Sequence, residues 1–395
     1  MSNVLFFNVA RDGHVNPTLG IIKELVNRGE KVTYYCSREY RDRIEQTGAT
    51  FRAYEKRLDK TNTPDTPMMF LIYHMLRDTE HRIRTILPKV QEEEYDYVIF
   101  DSSCAAGWII ADILHLPKIS SCSMLAMDQR NPKVDRKSYT EVDREYLVKS
   151  KEILNNLKKA YALNSIPLHD FKRIMSFPGD LTFVFTSKYF QNNADQFDET
   201  FRFVGPSITL RKDAENFPYE KLQGKPVIYI SMGTIVNQQV EFYQKCFRAF
   251  AGMDAKVVLS VGKNTKIEEL GTIPDNFIVR NYVPQLEILQ HTDVFFTHGG
   301  MNSASEGLYF ATPLAVLPIS NDQPMVAKRV KELGAGIQLD FHRVTPAVLR
   351  ETAELLLSDS TYKQHAHKIG DSFRGAGGYQ KVVDDIFEWK GSTFE

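Results

Sequence analysis

Short, nearly continuous apolar runs return along this chain at intervals filled by amphipathic stretches of helical length, and that alternation constrains the fold more than any other feature. A strand buried on both faces reads as an unbroken apolar run, because helices cover both sides of a parallel sheet. Residues 4–10 form such a run, a polar loop follows, and residues 17–28 are amphipathic. Asn16 can serve as N-cap with Pro17 at the first helical position, and Gly29 falls just past the last turn. Residues 31–36 are rich in β-branched and aromatic side chains, which completes a β-α-β unit. The pattern recurs with strands expected over 97–100, 118–122 and 181–186 and a helix over 105–114. Between residues 124 and about 177 the strand signal gives way to charged, helix-prone sequence such as 141–160, read as surface helices that shape a pocket wall.

A second set of alternations places strands over 227–231, 256–261, 293–297 and 314–318. The expected class is therefore α/β, with two doubly wound parallel-sheet domains, the first over 1–206, a linker over 207–225 where Pro218 and Gly224 fall, and the second from 226. A length of 395 residues suits two or three domains. Sheets of this kind bind ligands outside the carboxyl ends of their strands, so a cleft between the domains is expected. Charge nearly cancels, 49 Lys+Arg against 50 Asp+Glu, which disfavours a nucleic-acid binder. Cys36, Cys104, Cys122 and Cys246 form no C-x-x-C pair, so neither a disulfide framework nor a zinc site is indicated. The first residues lack a basic n-region, their apolar run breaks at Asn8, and nowhere do about 18 apolar residues follow one another. A soluble, cytoplasmic protein without a membrane span is expected.

Three polar, glycine-containing loops follow expected strands. In the first, Arg11-Asp12-Gly13-His14-Val15-Asn16, His14 lies close to a helix N-terminus, whose partial positive charge favours a neutral ring able to take a proton. A single loop histidine is also a common structural hydrogen-bonder. Asp101 ends the strand over 97–100 at the same sheet edge and can accept the second ring N–H, or it can cap the helix beginning near Ala105. In the second half, Thr297-His298-Gly299-Gly300-Met301-Asn302-Ser303-Ala304-Ser305-Glu306 opens a helix after a strand. Its glycines and exposed N–H groups suit a diphosphate, although Ser303 and Glu306 also have the spacing of a capping box. Ser231-Met232-Gly233-Thr234 is a companion loop. The chain has no G-x-G-x-x-G after a strand, no P-loop and no D-x-D; Glu141-Val142-Asp143 reads as a solvated helix face, so no metal-bridged diphosphate is indicated. Met68, Met69, Phe70, Tyr73, Met124 and Met127 either line an apolar, adaptable acceptor pocket or belong to the ordinary core.

The run from Tyr282-Val283-Pro284-Gln285 through His291, His298-Gly299-Gly300-Met301-Asn302-Ser303, Glu306, Gly307 and Pro313 to Asp322-Gln323 resembles the donor-binding signature of family 1 UDP-glycosyltransferases. With Gly13-His14-Val15-Asn16-Pro17 and Val204-Gly205-Pro206, the chain is similar along its whole length to the bacterial macrolide-glycosyltransferase branch, which includes bacillus enzymes that glucosylate flavonoids. The resemblance implies the GT-B fold: two Rossmann-like domains facing across a cleft, with the acceptor held by 1–206, the nucleotide sugar by 226–375, and the segment 376–395, with a last helix over 381–389, packing back on the first domain. It implies His14 as general base with Asp101 its partner. Gly13, Gly233, Thr234, His298, Gly300, Met301, Asn302 and Ser303 would surround the donor, Glu306 the ribose hydroxyls, Asp322 and Gln323 the sugar, and Val283 and Gln285 the uracil. Tyr282 stands where many relatives carry Trp, and Arg280 neighbours it as an alternative stacking partner; Met301 replaces the Trp of plant relatives. The activity so implied is inverting transfer of a hexose, glucose first, from a UDP-sugar co-substrate to a hydroxyl of a flavonoid, macrolide or other phenol or polyketide, by a monomer without cofactor or metal. A UDP-sugar epimerase and an inactive nucleotide-sugar-binding protein are the alternatives.

Overall fold

Each of two compact units is built around one wholly parallel sheet. The computed structural model describes residues 1–55, 68–127, 140–163, 176–209, 217–234, 237–320 and 322–393. The first unit comprises Met1–Phe185, Asn193–Ser207 and Gly377–Glu395, and the second Thr186–Asn192 and Ile208–Ala376. In chain order the first contains β1 (Asn3–Phe7), α1 (Asp12–Asn27), β2 (Lys31–Cys36), α2 (Arg41–Glu45), β3 (Thr50–Ala53), α3 (Met68–Val90), β4 (Tyr97–Asp101), α4 (Ala105–Ile113), β5 (Lys118–Cys122), α5 (Glu141–Tyr161), β6 (Leu181–Val184) and β7 (Phe201–Phe203). Its seven strands lie in the order β3-β2-β1-β4-β5-β6-β7.

The apolar run at the start of the chain explains itself in β1. Val4 and Phe6 point to one face, with Ile21, Ile22 and Leu25 of α1. Leu5 and Phe7 point to the other, with Leu76 and Ile83 of α3 and Ile109 of α4. All four strand residues are fully buried, each a gain of about 1.5–3 kcal/mol over exposure. Because α1 and α4 cover opposite faces, the loops leaving β1 and β4 part at the sheet's carboxyl edge, where the strand order reverses.

The helix expected from Pro17 with Asn16 as its cap begins instead at Asp12, so Pro17 lies inside it. Arg43 of α2 pairs with Asp12 at 2.7 Å and also donates to the side chain of Asn16, which lies inside the helix and is not its cap. Backbone bonds from His14 and Val15 to the Arg11 carbonyl, 2.9 and 3.0 Å, close the first turn. His14 therefore rides on a helix and not on a loop. Gly29 follows the helix in the left-handed region, as a C-terminal stop requires.

The second unit contains β8 (Val227–Ser231), α6 (Val240–Phe250), β9 (Lys256–Ser260), β10 (Phe277–Arg280), α7 (Gln285–Leu289), β11 (Val294–Thr297), α8 (Met301–Tyr309), β12 (Leu314–Val316), α9 (Gln323–Glu332), β13 (Gly336–Gln338), α10 (Pro346–Ser358) and α11 (Ser360–Gly375). Its six strands run β10-β9-β8-β11-β12-β13. Thr186–Asn192 joins this unit, held where Arg329 donates to the Tyr189 and Phe190 carbonyls at 2.7 and 2.8 Å. Within the stretch 207–225, Phe217 and Leu222 are buried and residues 210–216 lie outside the described residues.

The final helix, α12 (Gly378–Thr393), belongs to the first unit and buries Val382, Val383 and Ile386 in the core that holds Val4 and Phe6. Lys390 at its end meets the buried Glu30 carboxylate at 2.7 Å, and Tyr97 donates to the other oxygen at 3.2 Å. Removing one partner of a buried pair leaves an uncompensated charge. Lys390→Met should therefore destabilise the first unit by about 3–5 kcal/mol, read as a lower urea midpoint, whereas Lys390→Arg should recover most of the loss.

Candidate active site and nucleotide cradle

Register aligns the ends of neighbouring strands in the first unit. Phe7 of β1 sits opposite Phe100 of β4, and Asp101 opposite Ser121 of β5. The residues that follow these ends converge. His14 Nδ1 lies 2.7 Å from Asp101 Oδ2 and 2.9 Å from Ser123 Oγ. Asp101 is fully buried, while the histidine side chain retains 12% exposure. A carboxylate only accepts, so Nδ1 carries the proton and donates to Asp101; neither contact engages Nε2, which in that tautomer is the basic nitrogen.

Asp101 does not cap α4, whose N-cap is Cys104. Its Oδ1 accepts from the Ser103 amide at 2.8 Å, shaping the turn that precedes the helix, while Oδ2 holds the histidine. Beneath them lies a polar network around Asn8, the residue that interrupts the first apolar run. Its amide donates to the His14 carbonyl at 3.1 Å and to the Tyr34 hydroxyl at 2.6 Å. The backbone of Asn8 exchanges bonds with the Tyr54 hydroxyl, 3.1 and 2.8 Å. Ser123 and Asn8 are thus additional residues around His14: Asn8 had a visible signal as a polar break in a buried strand, and Ser123 had only its position after a strand end. Burial pushes the neighbouring Cys122 thiol up to about 11, which leaves it protonated and no competitor as nucleophile near neutral pH.

Among the candidate acceptor residues, Phe70 and Tyr73 gather with Tyr146 between α3 and α5, their ring centroids 5.0 and 5.3 Å from it. Met69 is core. Met124 and Met127 are half-buried just beyond β5, and the side chain of Met68 lies outside the described residues.

The second unit repeats the arrangement. Thr297 of β11 sits opposite Ser231 of β8, so the two glycine-containing loops emerge side by side. The His298 ring fills the space between them: a Cβ on Gly233 would come within 2.5 Å of it, as would one on Gly300. Gly233 also has φ +76°, a second reason for glycine there. Although part of His298 is exposed, the packed loops desolvate the imidazolium enough to lower its pKa to about 4. The ring is neutral at pH 7.

Gly300 caps α8 without a side chain, leaving Met301, Asn302 and Ser303 as the first helical residues. Ser303 is therefore inside the helix, and the capping-box reading of Ser303 with Glu306 does not hold. Glu306 is buried and accepts from Gln285 Nε2 at 2.6 Å, so the structure joins Gln285 to the carboxylate. Val283 is buried, Tyr282 is 44% exposed, and Arg280 is exposed with Nη1 donating to the Val279 carbonyl at 2.9 Å. Thr234 is exposed beside Gly233. Asp322 occupies the N-cap position of α9, and the buried Gln323 accepts from the Ile319 and Ser320 amides at 2.7 and 3.0 Å. That engages the Gln323 carbonyl in holding the loop. Gly13 lies in the first turn of α1 beside His14. Among the described residues no group of three or more His, Cys, Asp or Glu is placed to hold a metal ion, and no helix is long and apolar enough to cross a membrane.

Residues 244–388 match the family described as erythromycin biosynthesis protein CIII-like, C-terminal domain. Over 98% of its length the chain is 40% identical to the uncharacterized UDP-glucosyltransferase YojK of Bacillus subtilis (strain 168), covering 97% of that protein. It is 32% identical to the NDP-glycosyltransferase YjiC of the same organism, over 97% of this chain and 96% of the other. Among solved structures, the calicheamicin glycosyltransferase CalG4 is similar with a TM-score of 0.84 at 25% identity, over 100% of this chain and 99% of the other. The fold is GT-B, and the chain belongs to the family 1 UDP-glycosyltransferases, in their macrolide-glycosyltransferase-like branch. It is a glycosyltransferase.

The lowered His298 pKa has a consequence for stability. Between about pH 6.5 and about pH 4 the unfolded chain binds a proton at this position that the folded chain refuses, so stability is full above that window and falls as pH drops through it. In urea melts across the window, His298→Asn should flatten the dependence of the second unit's midpoint on pH; an unaltered slope contradicts the assignment.

Proposed function

We propose that this chain transfers a hexose, glucose first, from a UDP-sugar to a hydroxyl of a small lipophilic acceptor such as a macrolide, flavonoid or other phenol or polyketide, with inversion at the anomeric carbon. The observation that carries the reading is the 2.7 Å contact of His14 Nδ1 with a fully buried carboxylate, Asp101. A base so held has a fixed tautomer and a partner for the positive charge it acquires. Nε2 takes the acceptor's proton as the acceptor oxygen bonds to the anomeric carbon; the bond from that carbon to the diphosphate oxygen breaks, and the departing nucleotide keeps the electron pair. The amides opening α8, which Gly300 leaves without a side-chain cap, meet the charge that develops on the diphosphate. His298, neutral at pH 7, can add a hydrogen bond without demanding a counter-charge. The names of the relatives, a UDP-glucosyltransferase and an NDP-glycosyltransferase, support a nucleotide-sugar donor, and the erythromycin-type domain supports a polyketide-like acceptor.

With UDP-glucose and a panel of phenols and macrolides, His14→Ala should lower turnover by about 10²–10⁴-fold while UDP binding, followed by calorimetry, stays unchanged. Wild-type turnover in that variant would refute the base assignment. Asp101→Asn keeps an oxygen for the Ser103 amide but removes the charge facing His14, so kcat should fall by about 10²-fold or more with the donor KM little altered. An unchanged kcat would reduce Asp101 to a support for its turn.

A further inference from the structure

Gln285 does more than touch Glu306. Its other end accepts from the Tyr229 hydroxyl, Oη to Oε1 3.0 Å. The direction of every bond in this chain is dictated by its last member. The Glu306 carboxylate accepts, so Gln285 turns its NH₂ to it and its carbonyl to Tyr229. A carbonyl can only accept, so the Tyr229 hydroxyl must donate. Tyr229 is buried, stacked on Phe295 with ring centroids 4.7 Å apart, which fixes the phenol in place. Desolvation raises its pKa well above the ordinary phenol value, so it remains a donor at every working pH.

We propose that Tyr229 is a positioning residue for nucleotide recognition: through Gln285 it fixes the plane of the Glu306 carboxylate and thereby sets the chain's preference for a ribose over a 2′-deoxyribose nucleotide. The inference rests on the reading that Glu306 receives the ribose hydroxyls. A carboxylate held at Oε2 by Gln285 has a fixed plane, so a vicinal diol can be met without first ordering the side chain, and a missing 2′-hydroxyl costs a charge-assisted hydrogen bond.

The test compares UDP with 2′-deoxy-UDP by calorimetry on the full-length protein. Wild type should favour UDP by about tenfold or more, the discrimination of one hydrogen bond to a charged group. Tyr229→Phe keeps the stacked ring and loses the donor; it should weaken UDP by about three- to tenfold while 2′-deoxy-UDP changes by less than about twofold, which shrinks the discrimination. Gln285→Met, which breaks the same link at its middle, should move the same ratio in the same direction, and serves as the test if Tyr229→Phe does not fold. Equal weakening of both nucleotides, or an unchanged ratio, would make Tyr229 a packing residue and overturn the proposal. Glu306→Gln separates the two layers. If it abolishes the discrimination while Tyr229→Phe leaves it intact, the positioning role fails and the ribose reading stands; if it leaves the discrimination intact, the ribose reading itself fails and the proposal with it.

Discussion

Strand register at two reversals of strand order governs the chemistry of both units. In a parallel sheet every connection returns over one face or the other, and where the order reverses, consecutive connections leave on opposite faces. In the first unit α1 covers the face of Val4 and Phe6, and α4 the face of Leu5 and Phe7. In the second, α6 joins the face of Ile228 and Ile230, whereas Gly307 of α8 approaches Phe295 on the other. At each reversal the strand ends are in register, Phe7 with Phe100 and Ser231 with Thr297. Side chains immediately beyond those ends meet without any sequence neighbour having to bring them together. His14 and Asp101 are 87 positions apart and within hydrogen-bond reach for this reason.

Convergence alone would be costly, because polar groups brought into a sheet edge lose their water. Each buried carboxylate in these sites has defined partners: Asp101 has the His14 ring and the Ser103 amide, and Glu306 has the Gln285 amide. Asn8 extends the same principle beneath His14 by bridging its carbonyl to Tyr34. Such partners restrict rotamers as well as offsetting desolvation, which is how a site on rigid elements holds a reacting group within a fraction of an ångström.

Much of this was legible in the sequence, for a physical reason. Strands buried on both faces declare themselves as apolar runs, and the runs over 31–36, 118–122 and 227–231 coincide with β2, β5 and β8. Gly233 and Gly300 were legible as positions where a backbone is approached closely, and in the structure it is the His298 ring that takes that space. What escaped was tertiary. Pro17 and Asn16 carry strong local signals for a helix start, yet the helix begins at Asp12, which pairs with Arg43 from a helix remote in sequence. Ser303 and Glu306 have capping-box spacing, yet the helix starts at Met301 and Glu306 turns to Gln285. Ser123 and Tyr229 resemble ordinary residues of a strand and its end; only the neighbours supplied by the fold give them roles.

The two buried carboxylates also show how partner chemistry divides labour. Asp101 faces a titratable ring, so its charge matters most when that ring becomes cationic, and the pair suits a group that gains and loses a proton. Glu306 faces a neutral amide that neither gains nor loses charge, an arrangement that suits a group that binds and orients. His298 follows the same logic from the other side: desolvated between glycines, it is kept neutral and offers dipoles instead of charge. The near balance of 49 basic and 50 acidic residues is compatible with the proposed recognition of an anionic nucleotide by backbone amides and fixed dipoles, which needs no concentration of Lys and Arg.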